Sequence, residues 1–268
     1  MLISLLVLYI IFCGSVYFFP EYFFYKPSSE KSDINKAREG GFLAEEVNYY
    51  ASDGTEELAW FVKPRNDKKV ILFFHGNAHN LESFYYKLLP FAEDGYGIFM
   101  PEYRGFGGQT GKITQKNLEQ DALAAIHYLR GQGYKNENII VYGLSLGSHM
   151  AINTVYELQS KGDFAGLVLE VPFNNIVETA KAVVKFPFPY DLIIKDKYEN
   201  REMIGKINTP ILIQGGRQDK LVPVKLAEDL YKYAQEPKKI EIYEDGTHNG
   251  LYRLENYNSI KKWLEENK

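Results

Sequence analysis

The pentapeptide Gly143-Leu144-Ser145-Leu146-Gly147 constrains this chain more than any other stretch. It follows the apolar run Ile139-Ile140-Val141-Tyr142 and opens a segment of helical spacing. A chain that passes from strand to helix in so few residues turns sharply. The turn crowds the backbone of the central serine, so its flanking positions must be glycine and its hydroxyl is pushed into the open. Such a pattern also arises by chance, and its weight here comes from what precedes and follows it.

The 268 residues, less an apolar N-terminus, suit one domain of about 225 to 240 residues. With 45% hydrophobic and 15% aromatic residues the chain fills a buried core, which excludes wholesale disorder. A net charge of −4 shows no basic bias, so no nucleic-acid partner is expected. The single cysteine, Cys13, excludes an intrachain disulfide and cysteine catalysis.

Leu2 to Phe19 is nearly all aliphatic or aromatic and uncharged. Its length is at the short end of the roughly 17 to 25 residues that cross a membrane. Tyr17, Phe18, Phe19 and Tyr22 to Tyr25 crowd its far end, as in an interfacial aromatic belt. A cleaved signal peptide is the rival, weakened by the lack of Lys or Arg before the run and of an A-x-A-like site. An uncleaved single-pass anchor over 1–25 is therefore expected. Lys26, Lys31, Lys36 and Arg38 follow it, and positive-inside logic places the folded domain in the cytoplasm. A polar linker, 26–44, then leads to the domain at 45–268.

Glu46 to Tyr50 and Leu58 to Val62 read as an antiparallel hairpin around Ser52-Asp53-Gly54. Strand-like and helix-like segments then alternate. Val70 to Phe74, Gly97 to Met100, Gly166 to Val171, Pro210 to Gln214 and Lys239 to Tyr243 read as strands. Leu81 to Glu93, Lys116 to Arg130, Leu226 to Ala234 and Asn256 to Glu266 read as helices. The pattern predicts an α/β fold, a mostly parallel sheet with helices on both faces. The segment 173–207, with Phe186-Pro187-Phe188-Pro189-Tyr190, breaks the alternation and fits either a short lid or an ordinary connection.

Serine is a poor nucleophile until a positioned base takes its proton. Asp219 comes just after the strand Ile211-Leu212-Ile213, and His248 just after Ile240 to Tyr243. Ligands of open α/β sheets bind beyond the carboxyl ends of strands, so three strand ends deliver Ser145, Asp219 and His248 to one edge. Alone, Asp219 also fits a turn or cap, and His248 a surface histidine. His149, one helical turn past Ser145, is expected to pack behind it, because the helix runs away from the pocket. His75 and His79 flank Gly76-Asn77-Ala78 after the strand ending at Phe74, and Pro101 to Gly108 reads as a loop shaping the pocket rim. There is no H-E-x-x-H, cysteine pair or histidine cluster, so neither a metal nor a cofactor is expected.

Together these segments resemble the α/β-hydrolase superfamily over nearly all of 45–268. His75-Gly76-Asn77-Ala78, Tyr103 to Gly107, Gly143 to Gly147, Leu169 to Phe173, Asp219 to Pro223 and Gly246 to Asn249 resemble its membrane-anchored, Bem46-like serine hydrolases, related to acyl-protein thioesterases. One departure is Asp245-Gly246-Thr247-His248-Asn249, where the group carries a G-x-G-H-N-D-like run. The resemblance implies a nucleophile elbow at Ser145 and the chain order serine, acid, histidine, met here by Ser145, Asp219 and His248. It also implies an oxyanion hole from the Leu146 amide and one from the upstream loop, Asn77 first and Ala78 next. Gly76 lets that loop approach the substrate, while His75, Tyr103, Phe186 and Phe188 are expected at the pocket or lid. The expected activity is cleavage of a small acyl ester or thioester, or of an acylated protein, with membrane contact through the N-terminus. A serine peptidase and a non-catalytic, tethered interaction protein are the alternatives.

Overall fold

The computed structural model describes residues 2–254 and 256–267. Its strands are β1 (Lys26–Pro27), β2 (Glu45–Tyr50), β3 (Glu56–Val62), β4 (Val70–Phe74), β5 (Ala78–His79), β6 (Gly97–Pro101), β7 (Ile139–Leu144), β8 (Gly166–Glu170), β9 (Ile211–Gly216) and β10 (Lys238–Tyr243). Eight form one sheet in the order β10-β9-β8-β7-β4-β6-β3-β2. β2 and β3 make the expected antiparallel hairpin, with Glu45 opposite Phe61 and Tyr50 opposite Glu56. β3 also runs antiparallel to β6, and the other neighbours are parallel.

Alternation along the central strands separates two cores. Val70, Leu72, Phe74, Val141, Leu167 and Ile213 face one side, against Leu118, Ala122 and Met150 of the helices Gln115–Gly131 and Leu146–Leu158. Ile71, Phe73, Ile140, Val168 and Leu212 face the other, against Leu88, Phe91, Ile260 and Trp263. Burial on both faces explains why β4, β7 and β8 read as unbroken apolar runs. The helix read from Leu81 divides into a 3-10 turn, Leu81–Ser83, and a helix, Tyr85–Glu93.

The N-terminus departs from expectation. Its apolar run folds as a 17-residue helix, Leu2–Phe18. At 1.5 Å per residue that is about 26 Å, less than the roughly 30 Å hydrocarbon core. Among the described residues no helix is long and apolar enough to cross a membrane. The single-pass anchor, and the cytoplasmic placement that followed from it, are therefore not supported. One face of this helix packs on the segment 173–207: Tyr9 stacks on Phe188, Phe12 meets the same ring, and Val16 is buried with Val177, Tyr190 and Ile193. The polar stretch 26–44 carries β1 and a helix, Ile34–Glu39, whose Ile34 and Ala37 are buried in the same core as Phe42 and Ala44.

Candidate active site

β7 ends directly beneath Ser145, the N-cap of the helix Leu146–Leu158. Ser145 holds φ 52°, ψ −114°, a conformation that costs on the order of 1–3 kcal/mol and persists only where its surroundings impose it. Here they do. The Ser145 amide donates to the Glu170 carbonyl at 2.9 Å, and Ser148 Oγ donates to the Ser145 carbonyl at 2.6 Å. The flanking glycines are fixed by sterics: a Cβ on Gly147 would lie 2.0 Å from the Phe74 carbonyl oxygen, and one on Gly143 2.3 Å from that of Gly147. Val171, one strand over, also has positive φ, rare for a β-branched residue, and its amide donates to the Gln214 carbonyl at 2.8 Å.

Asp219 and His248 lie past the ends of β9 and β10, on the far side of β8 from β7. Asp219 follows β9, and its Oδ1 accepts from the Leu221 and Val222 amides at 2.8 Å each. Its Oδ2 accepts from His248 Nδ1 at 2.7 Å. A carboxylate only accepts, so the proton sits on Nδ1 and leaves Nε2 free to act as a base. Gly216 and Gly246 pack face to face beneath the two loops, where a Cβ on Gly216 would come 2.3 Å from the Gly246 carbonyl oxygen. That contact fixes the Asp219 loop against the His248 loop.

Ser145, Leu146 and His248 line a cavity of about 570 Å3, together with Gly76, Asn77, Ala78 and His79 of the loop after β4. Its other walls are largely apolar: Phe84, Phe173, Ile176, Ala180, Val183, Val184 and Val222. Part of 173–207 thus lines the cavity, through the helix Ile176–Val183. Phe186 and Phe188, expected at the pocket, instead turn to the N-terminal helix and pack on Tyr9.

His75 and Tyr103 are likewise absent from the cavity wall. Both are fully buried behind the loop, where Tyr103 Oη donates to the His75 carbonyl at 3.1 Å and the two rings lie 4.2 Å apart. The loop 101–108 is a foundation rather than a rim. Glu102, buried within it, lies 3.2 Å from His75 Nε2 and accepts from Ser32 Oγ and the Leu81 amide. Arg104 is clamped by Asp121 and Asp53. His149 sits behind the serine as expected, bonded to Asn200 and to Glu119. Burial pushes the Glu119 carboxyl up, but its bonds to His149 and Gln115 hold it below the usual range.

Sequence reading missed one wall altogether. Phe23, Phe24, Tyr25 and Lys26 line the cavity. β1 pairs in parallel with β5, Lys26 opposite Ala78, and Asn77 Nδ2 donates to the Phe24 carbonyl at 2.7 Å. The only signal was the aromatic run Tyr22 to Tyr25, which fits an interfacial belt as well as a pocket wall. A buried bridge also escaped notice: Lys87 Nζ meets Glu170 Oε1 at 2.7 Å, next to the strand end that holds the Ser145 amide.

Comparison with known proteins agrees with this architecture. Residues 69–187 match the family described as alpha/beta hydrolase fold. Alpha/beta hydrolase domain-containing protein 17B of Homo sapiens is 32% identical over 205 residues, 75% of this chain and 67% of the relative. YfhR of Escherichia coli strain K12 is 27% identical over 215 residues, 76% of this chain and 73% of the relative. Among solved structures, the Pyrococcus furiosus esterase Pf2001 superposes with a TM-score of 0.70 at 19% identity, covering 90% of this chain and 97% of the esterase. The chain belongs to the α/β-hydrolase superfamily, among relatives of its Bem46-like branch.

Proposed function

We propose that this hydrolase is a serine enzyme that cleaves carboxylic ester or thioester bonds of acyl substrates through a covalent acyl-enzyme. The observation that carries the reading is the pairing of His248 Nδ1 with Asp219 on the same cavity that holds the strained Ser145. Ser145 Oγ attacks the acyl carbon as its proton passes to His248 Nε2. The Leu146 and Asn77 amides stabilise the oxyanion, with Ala78 adjoining. Collapse of the tetrahedral species breaks the bond to the leaving oxygen or sulfur, which takes the proton from His248. Water then attacks the acyl carbon, gives its proton to His248, and the Ser145 oxygen departs with that proton as the free acid leaves. Asp219 keeps the imidazole in its tautomer and stabilises the imidazolium. The acid–base step is worth typically 10²–10⁴ and each oxyanion donor about 10²–10³ in turnover.

The apolar walls favour a hydrophobic acyl group, in a small ester or on an acylated protein. The test is labelling with a fluorophosphonate probe, followed by assays on esters, thioesters and peptide amides of matched acyl chains. Wild type is expected to label, Ser145→Ala not to label, and esters or thioesters to be cleaved in preference to amides. An unlabelled wild type, or equal labelling of Ser145→Ala, would sink the enzymatic reading. Faster cleavage of amides would favour a peptidase instead.

A further inference from the structure

The catalytic loops account for one side of the cavity. The other side is a strap of chain, residues 23–28, that arrives from the N-terminal helix and is stitched to the loop expected to hold the oxyanion. The Lys26 amide donates to the Asn77 carbonyl at 2.8 Å, and the Ser28 amide to the His79 carbonyl at 2.9 Å. In return Asn77 Nδ2 donates to the Phe24 carbonyl at 2.7 Å. Both the main-chain carbonyl and the side chain of Asn77 are therefore held by the strap. The loop needs such a hold: Asn77 and His79 are exposed, and His79 sits at φ 66°. Exposed loops are mobile unless tied, and an oxyanion donor works only where it is already in place.

The strap is tied at its other edge as well. Tyr25 is buried, its hydroxyl bonded to that of Tyr198 in the segment over the cavity, and burial pushes the Tyr25 phenol up. The Tyr198 amide donates to Gln115 Oε1 at 3.0 Å, and its ring meets the edge of His149 on the helix that begins at Ser145. One chain of contacts thus joins oxyanion loop, strap, lid and elbow helix around the cavity.

We propose that the Phe24–Ser28 strap is a working part of the active site: it positions the Asn77 amide for the oxyanion, with Tyr25 locking the strap to the lid. Phe24 and Tyr25 are positioning residues, acting through Asn77. The proposal rests on the serine-hydrolase reading above and adds to it a segment that is neither linker nor anchor.

The consequence is a loss in turnover without a matching loss in binding. Asn77→Ala keeps the backbone amide of residue 77 and removes the bond to the Phe24 carbonyl. A misplacement of about 1 Å costs on the order of 10²-fold, so its kcat is expected to fall about 10- to 100-fold, with KM within about threefold. Tyr25→Phe, which loses only the phenol bond to Tyr198, is expected to lower kcat about 3- to 10-fold. Turnover is to be measured with the full-length protein on a short-chain ester and expressed per site titrated by the fluorophosphonate. Partial unfolding then removes sites and leaves the rate per site unchanged. The second readout is the rate of phosphonylation itself, which should slow with kcat, because the phosphonyl oxygen occupies the oxyanion position. Wild-type kcat per site in both variants, in an enzyme whose wild type labels and hydrolyses, overturns the role of the strap and leaves the hydrolase reading intact. A loss confined to KM overturns it too, since that makes the strap a mere wall. A wild type that neither labels nor hydrolyses overturns the hydrolase reading first.

Discussion

The two halves of the cavity are built on different principles. Ser145, Asp219 and His248 lie past the ends of β7, β9 and β10 of one parallel sheet region, on turns where glycines meet backbone at distances no side chain tolerates. The strap and the segment 173–207 are instead applied from outside, by a two-residue strand pair, a few hydrogen bonds and aromatic contacts. The difference teaches where tolerance lies. The first half follows from sheet geometry, and a single methyl group breaks it. The second is held by contacts of modest energy, and its parts loosen separately.

The sharpest way to break this comparison is Gly147→Ala. The new methyl would lie 2.0 Å from the Phe74 carbonyl oxygen and 2.7 Å from that of His75. Neither is a flexible group that moves aside, because both belong to β4 and the loop that follows it. The expected cost is about 3 kcal/mol or more, at the upper end for overpacked positions, with loss of probe labelling as the elbow moves. Thermal unfolding checks it. A midpoint within 2 °C of wild type, with labelling intact, would show that the elbow is looser than its geometry implies, since about 3 kcal/mol corresponds to roughly 6–12 °C in a domain of this size.

The same division governs what the sequence made legible. The main strands of the sheet and the gathering of Ser145 and His248 on one cavity were readable because each rests on a local rule: an apolar run buried on both faces, glycines at a crowded turn, side chains carried past strand ends. Tyr103 and His75 were misplaced because a loop after a strand looks alike whether its rings face the pocket or the layer beneath. Phe186 and Phe188 were misplaced for a related reason, since aromatic residues in a covering segment serve either the cavity or a neighbour. The strap was invisible because it forms only through the pairing of Lys26 with Ala78, far apart in the chain. The apolar N-terminal run satisfied the compositional test for a membrane span, while its folded length falls short of one.

Charge sharpens the comparison at intermediate cost. The applied half carries surface pairs such as Lys181–Asp191, both partners well exposed and worth about 0–1 kcal/mol. The sheet beneath the fixed half buries its charges: Glu57 of β3 is fully enclosed, 3.5 Å from Arg104, and Arg104 is already engaged by Asp121 and Asp53. Burial, then the adjacent Asp121 carboxylate, push the Glu57 carboxyl up to about 9. Folded Glu57 therefore keeps a proton that the unfolded chain releases near its ordinary value. Its contribution to stability is full below about 4.5 and is lost as pH rises through the folded value near 9. Glu57→Gln, neutral throughout, should remove that slope. Urea unfolding at pH 5 and pH 8 is expected to show wild type losing more stability than the variant over this interval. Parallel stability profiles for the two proteins would mean that Glu57 is ionised in the fold.

The smallest effect is expected where the N-terminal helix meets the segment 173–207. Phe188 stacks on Tyr9 with ring centres 5.7 Å apart and meets Phe12 at 4.9 Å and Phe186 at 4.5 Å. Such pairs add about 0.5–1.5 kcal/mol each beyond the area they bury. That energy ties two peripheral elements to each other rather than to the sheet. Phe188→Ala should therefore leave the global unfolding midpoint nearly in place, because the sheet and its two cores lose nothing. Its effect should be local: amides of the helix Leu2–Phe18 and of the helix Ile176–Val183 should exchange faster with deuterium, while those of β4 and β7 keep their protection. Faster exchange across β4 and β7 would mean that lid and sheet open as one unit, and the division between the fixed and the applied half of the cavity would fail.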